Sequence, residues 1–161
     1  MCGEFDWAAY PYVILIVSGA KHYSLLVVEN LMQNGPTGMF HVNSLKGAHA
    51  SAYVFNMMRW HFANERHKYP DLTYQGTYAA GVFDTKPQQS NCVDCGLYVL
   101  HYIEKIGKDI LELQETSTTT VPSVQEDLAT WTSGSFTARS AAKRRNVRYQ
   151  KITDAASITK T

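Results

Sequence analysis

Cysteine is scarce in this chain, long apolar runs are absent, and each shortage excludes something. Three cysteines (Cys2, Cys92, Cys95) in 161 residues are too few, and too odd in number, for a disulfide framework. They suit a reducing compartment, nucleus or cytoplasm, where a reactive thiol survives. The apolar stretch YVILIV (12–17) is far too short to span a bilayer. Ahead of it stand Glu4 and Asp6 and no Lys or Arg, which lacks the basic start of a secretory signal. Among the six histidines His61 and His67 come near the pattern with their H-x₃₋₅-H spacing but have no second pair beside them, and one C-x-x-C supplies only two of the four ligands a structural zinc wants. No metal or other cofactor is therefore expected.

What is present is the composition of a globular domain, 45% hydrophobic and 12% aromatic, long enough to bury a core. The net charge of +1 conceals an asymmetry. Residues 1–127 carry a balance of −5 and residues 128–161 a balance of +6. Arg139, Lys143, Arg144, Arg145, Arg148 and Lys151 supply most of the latter. A basic helix closing against an acidic body is the first explanation, and AAKRRNVR also resembles a weak nuclear-localisation segment. Nucleic acid comes third, because no groove of interleaved aromatics accompanies the charge.

YVILIVS (12–18) and HYSLLVVEN (22–30) are β-branched, short and uniformly apolar, as buried strands are. LMQNGPTG (31–38) is turn-rich, and MFHVN (39–43) completes a hairpin with the preceding strand. Val54, Met58 and Phe62 share a face in a helix expected over 48–67. GVFD (81–84) is a fourth strand, followed by a polar loop, TKPQQSN. Val99, Ile103, Ile106 and Ile110 mark a second helix from about Cys95 to Leu111, with Asp94 well typed as its N-cap. The series predicts a mixed α+β domain over 1–114, a Ser/Thr/Pro-containing linker over 115–134, and a basic helix and tail over 135–161.

The chemistry concentrates in QQSNCVDCGLYVL (88–100). Cys92 and Cys95 admit several readings: a zinc knuckle, a thioredoxin-like pair, simple packing of small apolar residues, or a nucleophile. In thioredoxin-like motifs the first cysteine begins the helix, whereas here the cap and the periodicity put Cys95 there. A thiol at a helix N-terminus feels the positive end of the macrodipole, which favours thiolate. It then needs a general base, a group to orient that base, and donors for an oxyanion. Gln89 offers a side-chain donor, and Gly96 lets a substrate approach the backbone. Cys92 reads as a bystander, or as a partner for a reversible disulfide under oxidation. His41, His49, His61 and His101 are assigned structural roles.

The segment Gln89-Ser-Asn91-Cys-Val-Asp94-Cys95-Gly96 resembles the nucleophile motif of the Ulp/SENP cysteine proteases, which cleave SUMO and related ubiquitin-like proteins. Upstream, YVILIVSGAKHYSLLVVEN is similar to the family's strand pair that carries the general base, and FHVNSL to the strand whose Asp orients it. The resemblance covers roughly 10–111 and represents the C-terminal part of the catalytic domain, since family members run further before the first of these strands. It implies a papain-like α+β fold, a central antiparallel sheet flanked by helices, with the nucleophile heading a buried helix. It implies Cys95 as nucleophile and His22 as base. Asn43 would orient the imidazole, and Gln89 with the Cys95 N–H would form the oxyanion hole. Tyr23, where the family usually has Trp, would wall the slot for a Gly-Gly tail, with Asp94 and Gly96 beside it. The implied partner is a ubiquitin-like modifier, of SUMO or NEDD8 type, with no role for a membrane. Asn43 stands where the family has Asp, so weakened catalysis is expected. Two rivals stay open: an impaired relative that binds the modifier without efficient cleavage, and a thiol oxidoreductase using Cys92 and Cys95.

Overall fold

A computed structural model describes residues 5–19, 21–72, 78–116, 122–134 and 136–158, with side chains to 154 in the last stretch. Four strands, β1 (Tyr12–Gly19), β2 (His22–Glu29), β3 (Thr37–Asn43) and β4 (Tyr78–Asp84), form one sheet in sequence order. The first three pair antiparallel, including the expected β2–β3 hairpin. β4 instead adds parallel to β3. Helix α1 (Ser51–Glu65) lies between those two strands in the chain, and such a crossover brings the chain back to run the same way. The expected antiparallel sheet is thus mixed at one edge.

Both faces of the sheet are covered, which explains why LLVV in β2 is continuously apolar rather than alternating. Leu25 and Val27 point to one side and, with Phe40 and Val42, pack against Tyr98, Val99, Tyr102, Ile106 and Ile110. All five of those lie on α2 (Cys95–Thr116). Leu26, Val28 and Met39 point the other way, onto Val54, Phe55, Met58 and Phe62 of α1. α2 begins at Cys95 as expected and runs past Leu111 to Thr116, beyond its last buried residue, Ile110.

Of the Ser/Thr/Pro stretch 115–134, residues 117–121 lie outside those described, as does Cys2. α3 (Gln125–Trp131) occupies part of the remainder, with Val124 and Leu128 fully buried in the α2-side core. The buried carboxylate of Glu29 on β2 holds this segment in place. It accepts from Ser123 Oγ at 2.8 Å and from the Val124 N–H at 2.9 Å. α4 (Ala138–Ile158) is the basic helix, and its Ala141 reaches the same core. Among the described residues no helix is long and apolar enough to cross a membrane.

Candidate active site

His22 opens β2, and Asn43 closes β3. The hairpin brings them together, with His22 Nε2 2.8 Å from Asn43 Oδ1, both buried. The Leu45 backbone N–H donates to the same Oδ1 at 3.1 Å. A backbone N–H can only donate, so the atom facing it is the amide oxygen and His22 Nε2 must carry the proton. The neutral imidazole is left with its lone pair on Nδ1, the form a general base requires. Burial lowers the His22 pKa below its ordinary value, the Asn43 bond works against this, and the neighbouring His49 adds to it. His22 therefore remains deprotonated to lower pH than a free imidazole.

Gln89 is tied to the end of β3. Its N–H donates to the Ser44 carbonyl at 2.8 Å, and its Oε1 accepts from Ser44 Oγ at 2.7 Å. Its Nε2 donates to the Asn91 carbonyl at 2.6 Å. A primary amide has two N–H bonds, so one remains to offer elsewhere. The neighbouring Gln88 bonds to the Asn43 and Thr85 carbonyls through Nε2. The loop carrying Gln89 is thus locked to the strand carrying Asn43.

Cys95 is the first residue of α2 and is buried, whereas Cys92 is exposed. Strand β2 just after His22 and the first turns of α2 line one small cavity, the former with Tyr23, Ser24 and Leu25 and the latter with Tyr98, Val99 and Tyr102. Tyr98 Oη is buried without a partner among the described residues, and Ser44 and Thr85 also line the space. Tyr23 is exposed at the rim, on the same face of β2 as Leu25 and Val27, while His22 and Ser24 alternate to the other face and are buried. A methyl group built on Gly96 meets nothing within 4 Å, so its surroundings are open. Among the described residues, no three His, Cys, Asp or Glu side chains are arranged to hold a metal ion.

Asp94 occupies the N-cap position, its carbonyl accepting from the Leu97 and Tyr98 N–H groups. Its side chain departs from expectation. Instead of capping the first turn, it accepts from Asn91 Nδ2 at 2.7 Å and from Arg145 Nε at 3.1 Å and Nη2 at 2.5 Å. Asn91 Oδ1 meanwhile accepts from the Val93 and Asp94 N–H groups. Burial alone would raise the Asp94 pKa, but the bonds from Asn91 and Arg145 and the Arg145 charge outweigh it and hold it below the usual value. A bare carboxylate one residue before a thiol would oppose thiolate formation, and Arg145 neutralises it. Arg144 forms a second contact from α4 to α2, to Glu104. Arg145 escaped the sequence reading because 51 residues separate it from Asp94, and nothing distinguishes it from its basic neighbours.

Arg145→Met is expected to destabilise the protein by about 1–2 kcal/mol in urea denaturation at pH 7, since Asp94 would keep its burial and lose its charged donor. The upper end of the buried-pair range does not apply, because the Arg145 side chain is 49% exposed. Asp94 is depressed, so its contribution is present above the ordinary value of 3.8 and lost as pH falls below it. The gap between wild type and variant should narrow there. A gap independent of pH would mean that Arg145 acts through packing alone.

Sequence comparison shows the family. The model of the Ulp1 protease family, C-terminal catalytic domain, matches residues 4–130. The chain belongs to the Ulp1 protease family. Its fold is the papain-like α+β fold that the sequence led us to expect. A solved structure described as a de-sumoylating protease superposes with a TM-score of 0.59 at 15% identity. That match covers 98% of this chain and 63% of the other. A C-terminal Ulp1 protease domain in complex with SMT3, the yeast orthologue of SUMO, is also similar, with a TM-score of 0.45 at 18% identity over 75% of this chain and 48% of that one. This Ulp1-family chain therefore spans less than two thirds of the length of the solved structures it matches. No curated protein matches it in sequence.

Proposed function

We propose that the chain is a cysteine-type peptidase or isopeptidase that cleaves after the C-terminal Gly-Gly of a ubiquitin-like modifier, SUMO in preference to NEDD8. The observation that carries this reading is the buried His22–Asn43 bond, oriented by the Leu45 N–H so that His22 Nδ1 is the basic nitrogen. Family membership and the position of Cys95 at the head of α2 support it.

In this mechanism His22 Nδ1 takes the proton from Cys95 Sγ, and the thiolate attacks the carbonyl carbon of the terminal glycine. The negative charge moves to the carbonyl oxygen, where the Cys95 N–H and the remaining Gln89 N–H receive it. Collapse of the intermediate breaks the C–N bond, and the imidazolium gives its proton to the leaving amine. His22 then takes a proton from water as the oxygen attacks the thioester. The modifier leaves with a free carboxylate, and Cys95 recovers its proton. Asn43 holds the imidazole throughout, as in Cys-His-Asn proteases. Tyr23 walls the entry, and Asp94 and Gly96 shape the nucleophile turn.

The test is incubation with SUMO, NEDD8 and ubiquitin carrying a C-terminal electrophile. A covalent adduct that survives Cys92→Ser and disappears in Cys95→Ser is expected, with SUMO reacting fastest. Binding without an adduct would instead favour the impaired relative, the reading to which the neutral Asn43 lends weight. A reducible Cys92–Cys95 disulfide with insulin-reductase activity would replace both with an oxidoreductase.

A further inference from the structure

His22, His41 and His49 come from three different segments, and the fold gathers them at one end of the sheet. The His22 and His49 rings meet edge-on, with centroids 4.8 Å apart at 67°. Those of His41 and His49 lie 6.3 Å apart at 26°. Ser24 joins this second pair, its Oγ 2.8 Å from His41 Nε2 and 2.7 Å from His49 Nδ1. Beyond it, His41 Nδ1 lies 2.7 Å from Ser51 Oγ, the first residue of α1. At the other end His49 Nε2 lies 2.9 Å from the Gly19 carbonyl oxygen. Gly19 is the register partner of His22, so the chain closes on the backbone directly beside it.

A carbonyl only accepts, so His49 Nε2 carries a proton. In neutral His49, Nδ1 then accepts from the Ser24 hydroxyl, Ser24 Oγ accepts from His41 Nε2–H, and His41 Nδ1 accepts from Ser51. One backbone carbonyl thereby orders four side chains. If His49 gains a proton, the order reverses: Nδ1–H donates to Ser24, Ser24 donates to His41 Nε2, and His41 Nδ1–H donates to Ser51. No heavy atom needs to move. A second proton on His41 would aim two N–H groups at one hydroxyl oxygen and strand its O–H. Consistent with this, burial first, then the charges of His49 and His22, lower the His41 pKa to about 4.

We propose that His49, braced by Ser24, His41 and Ser51, is a positioning residue for His22, its ring blocking rotation of the imidazole away from Asn43. The proposal rests on His22 being the base of the reaction above. A neutral amide holds an imidazole less firmly than a carboxylate does, so a second support carries more weight here. When His49 is charged it also opposes protonation of His22, which keeps the base available at lower pH. The titratable groups against the His49 ring are His22 and His41. Its remaining partners, Ser24 and the Gly19 carbonyl, do not titrate in this range.

Wild type, His49→Ala and Ser24→Ala are compared by NMR titration of the His22 ring and by steady-state hydrolysis of a modifier-derived fluorogenic substrate. In His49→Ala the His22 midpoint is expected to move upward, because a ring that shields it and a competing charge are both removed. kcat is expected to fall roughly 10- to 100-fold with KM within about two-fold, the pattern of lost orientation rather than lost binding. Ser24→Ala removes only the connecting hydroxyl and should give a smaller change in the same direction. An unchanged His22 midpoint in folded His49→Ala, or wild-type kcat in both variants, overturns the proposal. The titration needs no substrate, so it decides the role of His49 even if the modifier is not cleaved. Failure of wild type to form the Cys95 adduct would count against the protease reading alone. If His49→Ala does not fold, His49→Gln and Ser24→Ala carry the same two readouts.

Discussion

Asn43→Asp is expected to raise kcat/KM about ten-fold near pH 8 and to move the acid limb of the pH–rate profile upward. Asn43 Oδ1 accepts from His22 Nε2–H and from the Leu45 N–H, and a carboxylate oxygen can accept both. What it adds is a charge facing the imidazolium that forms when Cys95 gives up its proton. A hydrogen bond to a charged group exceeds a neutral one by about 1–1.5 kcal/mol, which is close to ten-fold in rate. The same charge favours protonated His22. Burial now lowers the His22 pKa and the Asn43 bond only partly offsets that, so the carboxylate should push it back up. The base is then lost at higher pH, and the gain should shrink as pH falls. Asn43→Ala removes the acceptor altogether and is expected to lower kcat by about 10²–10⁴, the usual worth of a positioned general base. Profiles of kcat/KM against pH for the three proteins decide the matter. If Asn43→Asp gains nothing and Asn43→Ala loses nothing, Asn43 does not orient the base.

The second large effect is on stability in acid. His41 is fully buried, and its pKa is lowered from 6.5 to about 4, chiefly by burial, then by the charges of His49 and His22. The unfolded chain therefore binds this proton before the folded one does. Stability is fully present above 6.5 and is lost as pH falls toward 4, by about 3 kcal/mol if His41 alone is counted. His22 and His101 are also depressed and act in the same direction. Glu29 acts oppositely: burial raises its pKa, so its protonation favours the folded state as pH drops through the carboxylate range. His41→Gln should be less stable than wild type at pH 7.5, having lost its bonds to Ser24 and Ser51. Its stability should nevertheless fall less steeply toward pH 4.5. Urea denaturation at several pH values reads this slope, and parallel curves for the two proteins would remove His41 as the acid-labile group.

The two halves of the site were legible for different reasons. HYSLLVVEN and FHVNSL each announce a strand, and a short turn between strands almost forces a hairpin, so His22 and Asn43 meet by local rules. The approach of Cys95 to the head of a helix was equally local, because four apolar residues at helical spacing follow it. Asp94 shows where such rules stop. Its position and type were right for a cap, yet its carboxylate serves Asn91 and Arg145 instead. A side chain chooses among donors that only the folded chain brings within reach.

α3 illustrates the same limit in packing. Val124 and Leu128 lie fully buried in a stretch that reads as a linker, because the Ser, Thr and Pro around them outweigh the i, i+4, i+7 spacing they make with Trp131. They are held by the sheet and by Glu29, 95 residues from its Val124 donor. The parallel addition of β4 was likewise invisible, since pairing direction depends on which way the chain returns after α1.

By itself the sequence determined the class of fold, the family and the His22, Asn43, Gln89 and Cys95 candidates, because periodicity, turn chemistry and motif spacing are properties of neighbouring residues. Tertiary structure alone decided that Arg145 neutralises Asp94 and that Ser24 links His41 to His49 beside His22. Those contacts join residues from 17 to 51 positions apart through one or two hydrogen bonds each. Such bonds depend on positions to within a few tenths of an ångström, and these positions are set by the packing of two cores against one sheet.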